Sequence, residues 1–167
     1  MKSNYVNFIT TNLLILISAF ISYIICCFYF DNPFLNQTLF ALTIVLANYN
    51  RLKLNFIKSA IWYISMINLI FFFSIFFSFP IAKIFKSFFL YIIFIIDFIL
   101  IIYCTKKIIE INTLLSVLLA LIISPLPYFL TKLSNNYISY SENPWTVFFW
   151  LQITLGLILT IGINTKK

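Results

Sequence analysis

The chain has 167 residues, of which 63% are hydrophobic and 9% charged, and its mean hydropathy is +1.06. A soluble domain carries about 25% charged residues and about half apolar ones, so this composition excludes a soluble globular domain, a disordered chain and a nucleic-acid module. The formal charge of +7 comes from cations scattered singly or in pairs between apolar runs, with Arg51 the one arginine, which is the pattern of membrane flanks.

A spanning helix needs about 20 apolar residues, with about 17 as a lower limit. Six runs are candidates: 8–30, 34–49, 56–79, 87–104, 113–130 and 145–163. The first follows a single lysine, lacks a small-residue cleavage site and exceeds the roughly 7–15 residues of a signal-peptide core, so it reads as a retained helix. The second is the short one. It carries Asn36, Gln37, Thr38 and Asn48, and at 1.5 Å per residue it covers only about 24 Å of a core about 30 Å thick. It either crosses a thinned region or re-enters, in which case the spans number five. Pro80 through Lys86 is expected to end the third run, and Lys106-Lys107 the fourth. Ser124-Pro125-Leu126-Pro127 predicts a kink, at Pro125 and Pro127, within the fifth. Lys132 through Pro144 separates the fifth from the sixth. No linker divides the chain, so the expectation is an all-α, polytopic integral membrane helical bundle forming a single transmembrane domain over 1–167.

With six spans and a cytoplasmic N-terminus, eight cations (Lys2, Arg51, Lys53, Lys58, Lys106, Lys107, Lys166, Lys167) lie inside and three (Lys83, Lys86, Lys132) outside. That bias follows the positive-inside rule and favours both termini in the cytoplasm of a cell, read as a bacterial inner membrane. With five spans the best split is seven against four. Tyr29, Trp62, Tyr63, Tyr103 and Trp145 fall near the expected interfaces, as an aromatic belt does. A three-plus-three repeat of the transporter kind is not visible, because no Gly, Pro or charge positions match between the halves.

Lipid cannot solvate polar side chains, so they mark helix faces turned toward protein. At about 100° per residue, Thr11, Ser18, Ser22 and Cys26 share one stripe. So do Gln37, Ala41 and Asn48; Ser65 and Asn68; Ser116, Ala120, Ser124 and Pro127; and Trp145, Gln152, Gly156 and Thr160. Gly156-x-x-x-Thr160 is a small-xxx-small pair that lets helices approach closely. Packing seams explain most of these residues. Ser18, Ser22, Ser116, Ser124, Gly156 and Thr160 are therefore expected at helix–helix contacts.

Asp97 stands apart. It lies mid-run between Phe94-Ile95-Ile96 and Phe98-Ile99-Leu100, where a charge costs about 2.5–3.5 kcal/mol on insertion scales. No Lys or Arg lies deep in any run to pair with it. Asn68 and Gln152 sit near the centres of their own runs, which predicts a midplane cluster of Asp97, Asn68 and Gln152. Such an acid either handles protons or cations, or as a neutral acid donates to an amide and locks two helices.

The sequence contains no histidine, which removes Ser-His catalysis and His-based metal hydrolysis. Asp97 has no second intramembrane acid for aspartyl proteolysis. Gly156 and Gly162 are the two glycines, so no phosphate loop exists. Asp31, Glu110 and Glu142 lie in separate loops and do not form a headgroup-transfer site. Cys26 and Cys27 are adjacent and Cys104 is expected at the opposite face, giving no disulfide or metal spacing; a lone nucleophile at Cys104 is the residual enzymatic reading. Neither a catalytic set, nor a metal, nor a cofactor is expected. The expected partners are the lipid bilayer and another membrane protein or a second copy, and no nucleic acid. Two functions fit: a non-enzymatic protein acting through helix–helix contacts, such as an accessory subunit, assembly factor or immunity-type protein, or a small transporter or channel component centred on Asp97.

Overall fold

The computed structural model describes the backbone of residues 2–28, 32–85, 87–137 and 144–165, and the side chains of 8–27, 32, 34–76, 92–133 and 146–165. Within these the regular structure is helical: α1 (Lys2–Phe28), α2 (Pro33–Ala47), α3 (Phe56–Phe85), α4 (Ser87–Ile108), α5 (Thr113–Ile123), α6 (Leu126–Tyr137) and α7 (Pro144–Asn164). Asparagines start three of them. Asn32 Oδ1 accepts from the Phe34 amide at 3.0 Å with Pro33 in the first turn, and Asn55 Oδ1 accepts from Lys58 at 2.9 Å. Asn112 Oδ1 accepts from Leu115 at 3.2 Å. Each satisfies a backbone N–H that the helix leaves unpaired.

Three boundaries differ from the sequence expectation. Helix α4 runs on through Lys106-Lys107 to Ile108. Helix α3 runs through Pro80 to Phe85 instead of stopping at 79. A proline removes one N–H from the ladder, and its fixed φ still suits a helix, so in an apolar segment continuing costs less than exposing several unpaired groups. The fifth run is two helices, interrupted at Ser124 and Pro125. Four helical stretches are long and apolar enough to cross a membrane: Phe8–Cys27, Phe56–Phe76, Thr113–Leu133 and Thr146–Asn164. Their outward faces carry exposed Leu13, Phe20, Ile61, Phe72, Leu118 and Ile122. Such faces are stable in hydrocarbon and not in water, so this is a membrane protein. Helix α2 has 15 residues and about 22 Å of length.

Packed neighbours run α1, α2, α3, α4, α5, α7 and back to α1, with α6 laid against α7. The chain thus closes into a ring. Side-chain pairs set the directions. Ile15 faces Gly156 and Tyr23 stacks near Phe149, so α1 and α7 are antiparallel. Thr38 meets Asn68 and Phe34 meets Phe71, so α2 and α3 are antiparallel. Tyr63 meets Thr105 and Ser74 meets Asp97, which gives α3 and α4 the same relation.

One end of the ring is knit by polar contacts between connections. The Lys53 amide donates to Ile108 O at 2.8 Å, beside a single antiparallel bridge of Leu52 with Ile109. Arg51 Nη1 donates to Asn164 Oδ1 at 3.0 Å, Lys53 Nζ to Lys106 O at 3.0 Å, and the Asn112 amide to Gly162 O at 2.9 Å. Because α1 and α7 are antiparallel, the start of α1 lies at this same polar end. The interior next to it is dry and dense: Ile44, Tyr63, Ile102, Ile158 and Leu159 are buried. Tyr29 and Trp145, which sequence reading placed at an interface, lie outside the described side chains, and 138–143 lies outside the described residues.

Candidate functional site

Asp97 lies midway along α4, and its carboxyl is held by α3. Ser74 Oγ sits 2.5 Å from Asp97 Oδ1 and 2.9 Å from Ile70 O. A hydroxyl has one proton and can also accept, whereas a carbonyl only accepts. With Asp97 ionised, Ser74 donates to the carboxylate. With Asp97 neutral, Ser74 donates to Ile70 O and the acid donates to Ser74. The same heavy-atom arrangement therefore accommodates both protonation states of the acid.

The amides expected beside Asp97 are engaged elsewhere. Asn68 Nδ2 donates to Thr38 Oγ1 at 2.9 Å and to Ile64 O at 3.0 Å, tying α3 to α2. Gln152 Nε2 donates to Asn36 O at 2.7 Å and Asn36 Oδ1 at 2.8 Å, tying α7 to α2. Asn36 O can only accept, which fixes the nitrogen of Gln152 on that side and leaves Oε1 as the other amide atom; Oε1 is buried without a hydrogen-bond partner. Ser65, expected to share a seam with Asn68, is exposed.

Asp97 and Gln152 nevertheless face one space. A cavity of about 290 Å³ lies inside the ring between α2, α3, α4 and α7, in the half away from the polar end. Its polar lining is Gln37, Ser74, Asp97 and Gln152, and its remaining walls are Phe and aliphatic side chains. Asn68 does not line it. Toward the polar end it is closed by Phe40, Ile67, Ile101 and Leu155, all buried, with the dense layer of Ile44, Tyr63 and Ile102 below them. The cavity is blind on that side rather than a continuous pore. Phe71 and Phe148 meet edge to face at 5.2 Å and bridge α3 to α7 along its wall.

Most of the remaining residues singled out from sequence are buried. Ser22, Ser116, Ser124, Gly156 and Thr160 are buried and Ser18 is partly buried. Thr160 Oγ1 donates to Gly156 O at 2.7 Å, and Gly156 lies against Ile15. Gly162, outside those stripes, packs against Ser116 and Ile111. Pro125 falls in the break between α5 and α6, and Pro127 in the first turn of α6, where its carbonyl accepts from Thr131 at 2.7 Å. Cys104 is buried. Ser74 is the residue sequence reading missed; the register that brings it to Asp97 is not written in the apolar runs.

No family model, curated protein or solved structure matches this chain, so the chemistry of the cavity rests on the residues that line it.

Proposed function

We propose that this protein crosses the membrane six times, with both termini and the Arg51–Lys53–Lys106–Lys107 end in the cytoplasm, and handles protons or small cations at Asp97 without covalent catalysis. The observation that carries this reading is the Ser74–Asp97 pair at the wall of a blind cavity. The pair can hold or release a proton with no change of its heavy-atom framework, and an intramembrane acid facing a cavity is the usual mark of an ion or proton path. Alternating directions of neighbouring helices support the six crossings. The cluster of Arg51, Lys53, Lys58, Lys106 and Lys107 at or near the polar end supports the orientation.

Reconstitution in liposomes tests the function. The purified protein is expected to move protons or a monovalent cation down an imposed gradient, read by an internal pH dye and an ion electrode. Asp97→Asn, folded by its thermal stability, is expected to lose that movement. Flux no greater than in protein-free liposomes, together with stable co-purification of another membrane protein, would overturn this reading in favour of an accessory subunit acting through helix contacts.

A further inference from the structure

We propose that the cavity at Asp97 binds a small hydrophobic amine as its ammonium ion, a ligand class that deepens the cation reading above and rests on the same cavity. Four features select it. Asp97 has one oxygen held by Ser74, which leaves the other for a donor. Gln152, 2% exposed, lines the cavity as a neutral amide and adds no positive charge to it. Phe40, Phe71, Phe94 and Phe148 are part of the wall, and phenyl faces attract cations while covering apolar surface. No Lys or Arg is among the described lining residues.

Competing ligands fit less well. An anion would meet the carboxylate with no cation to offset it. A neutral apolar molecule would leave the free oxygen of Asp97 without a donor, and burying it unpaired is costly. A bare divalent cation wants a shell of six or more oxygens and has no use for a largely apolar space of about 290 Å³. That volume sits at the lower edge of ordinary small-molecule sites, about 300–1,000 Å³, so the ligand is one ring or a short chain with a single amine. A primary or secondary ammonium supplies an N–H donor to the free oxygen of Asp97; a quaternary one does not.

Calorimetry on the full chain in nanodiscs tests this with 2-phenylethylamine as probe. 2-Phenylethanol and phenylacetate serve as uncharged and anionic probes of the same shape. The amine is expected to bind saturably at one site per chain, and the other two to show only the partitioning seen with empty nanodiscs. Asp97→Asn is expected to weaken amine binding at least tenfold. Leu151→Phe, which fills part of the cavity without touching the acid, is expected to weaken it with thermal stability retained, so the test stands even where Asp97→Asn fails to fold. Equal saturable binding of the alcohol and the amine, or undiminished amine binding in either folded variant, would overturn the proposal. Asp97-dependent proton flux with no amine binding overturns the ligand and leaves the proton reading; amine binding with no flux does the reverse.

Discussion

Tyr63 and Thr105 share a hydrogen bond of 2.7 Å between α3 and α4, with both side chains fully buried. Thr105 Oγ1 also lies 2.8 Å from Ile101 O. The carbonyl only accepts, so the threonine proton goes to it and Tyr63 is the donor between the two hydroxyls. Tyr63→Phe therefore removes a donor but strands none, because Thr105 keeps its own acceptor. The expected cost is about 0.5–1.5 kcal/mol, read as a small loss in unfolding free energy in mild detergent. Thr105→Val, which leaves the tyrosine hydroxyl without its acceptor in a dry layer, is expected to cost more than Tyr63→Phe.

A methyl group at Gly162 would overlap Ser116 Oγ and the Ile111 side chain, whereas at Gly156 the three nearest atoms all belong to Ile15, the first at 2.5 Å. Gly162→Ala is expected to destabilise by about 1–3 kcal/mol, the range for overpacked interiors, and to lose more than Gly156→Ala. Adding Ser116→Ala to Gly162→Ala removes one of the two overlaps and is expected to restore part of the loss. Thermal unfolding of the four proteins checks the order; a neutral Gly162→Ala would mean that α5 and α7 do not pack at this distance.

The membrane class, the helices and most connections were readable in the sequence, because apolar run length reports directly on what lipid tolerates. Burial of Ser22, Ser116, Ser124 and Thr160 followed from the same rule. Register did not follow. Asn68 was paired with Asp97 by taking each as the centre of its run. In the bundle Tyr63 stands level with Thr105, so about three turns further along α3 and about two turns back along α4 bring Ser74, not Asn68, to Asp97. Continuation of α3 past Pro80 is part of that error, since it moves the helix centre. Run length fixes a helix only to within a turn or more at each end, and apolar surfaces alone do not distinguish one antiparallel register from another.

Six crossings and cytoplasmic termini make a labelling prediction. With Cys26, Cys27 and Cys104 replaced by alanine, single cysteines are introduced as Asn50→Cys, Lys107→Cys and Lys132→Cys, at three exposed positions. A membrane-impermeant maleimide added to intact cells is expected to label only the position at 132. Permeabilisation is expected to open 50 and 107 together. Finding 50 and 107 on opposite sides would show that α3 and α4 do not both cross, and labelling of both in intact cells would invert the orientation.

Gln152 and Asn36, each 2% exposed, join α7 to α2 through the two bonds from Gln152 Nε2. Helices α2 and α7 touch little along their lengths otherwise, so this amide is a principal link across the ring. Gln152→Leu keeps the volume but leaves the buried Asn36 Oδ1 without its donor, a cost of about 1–3 kcal/mol. Gln152→Glu is expected to be worse, because its ionised form brings two oxygens against two acceptors. Asn36→Ala in the Gln152→Leu background removes the stranded oxygen and is expected to recover part of the loss. The double-variant cycle, read by thermal unfolding, isolates the coupling. Additive losses would mean that α2 and α7 are held by apolar packing alone, and that a 15-residue helix with two buried amides keeps its place in the ring without them.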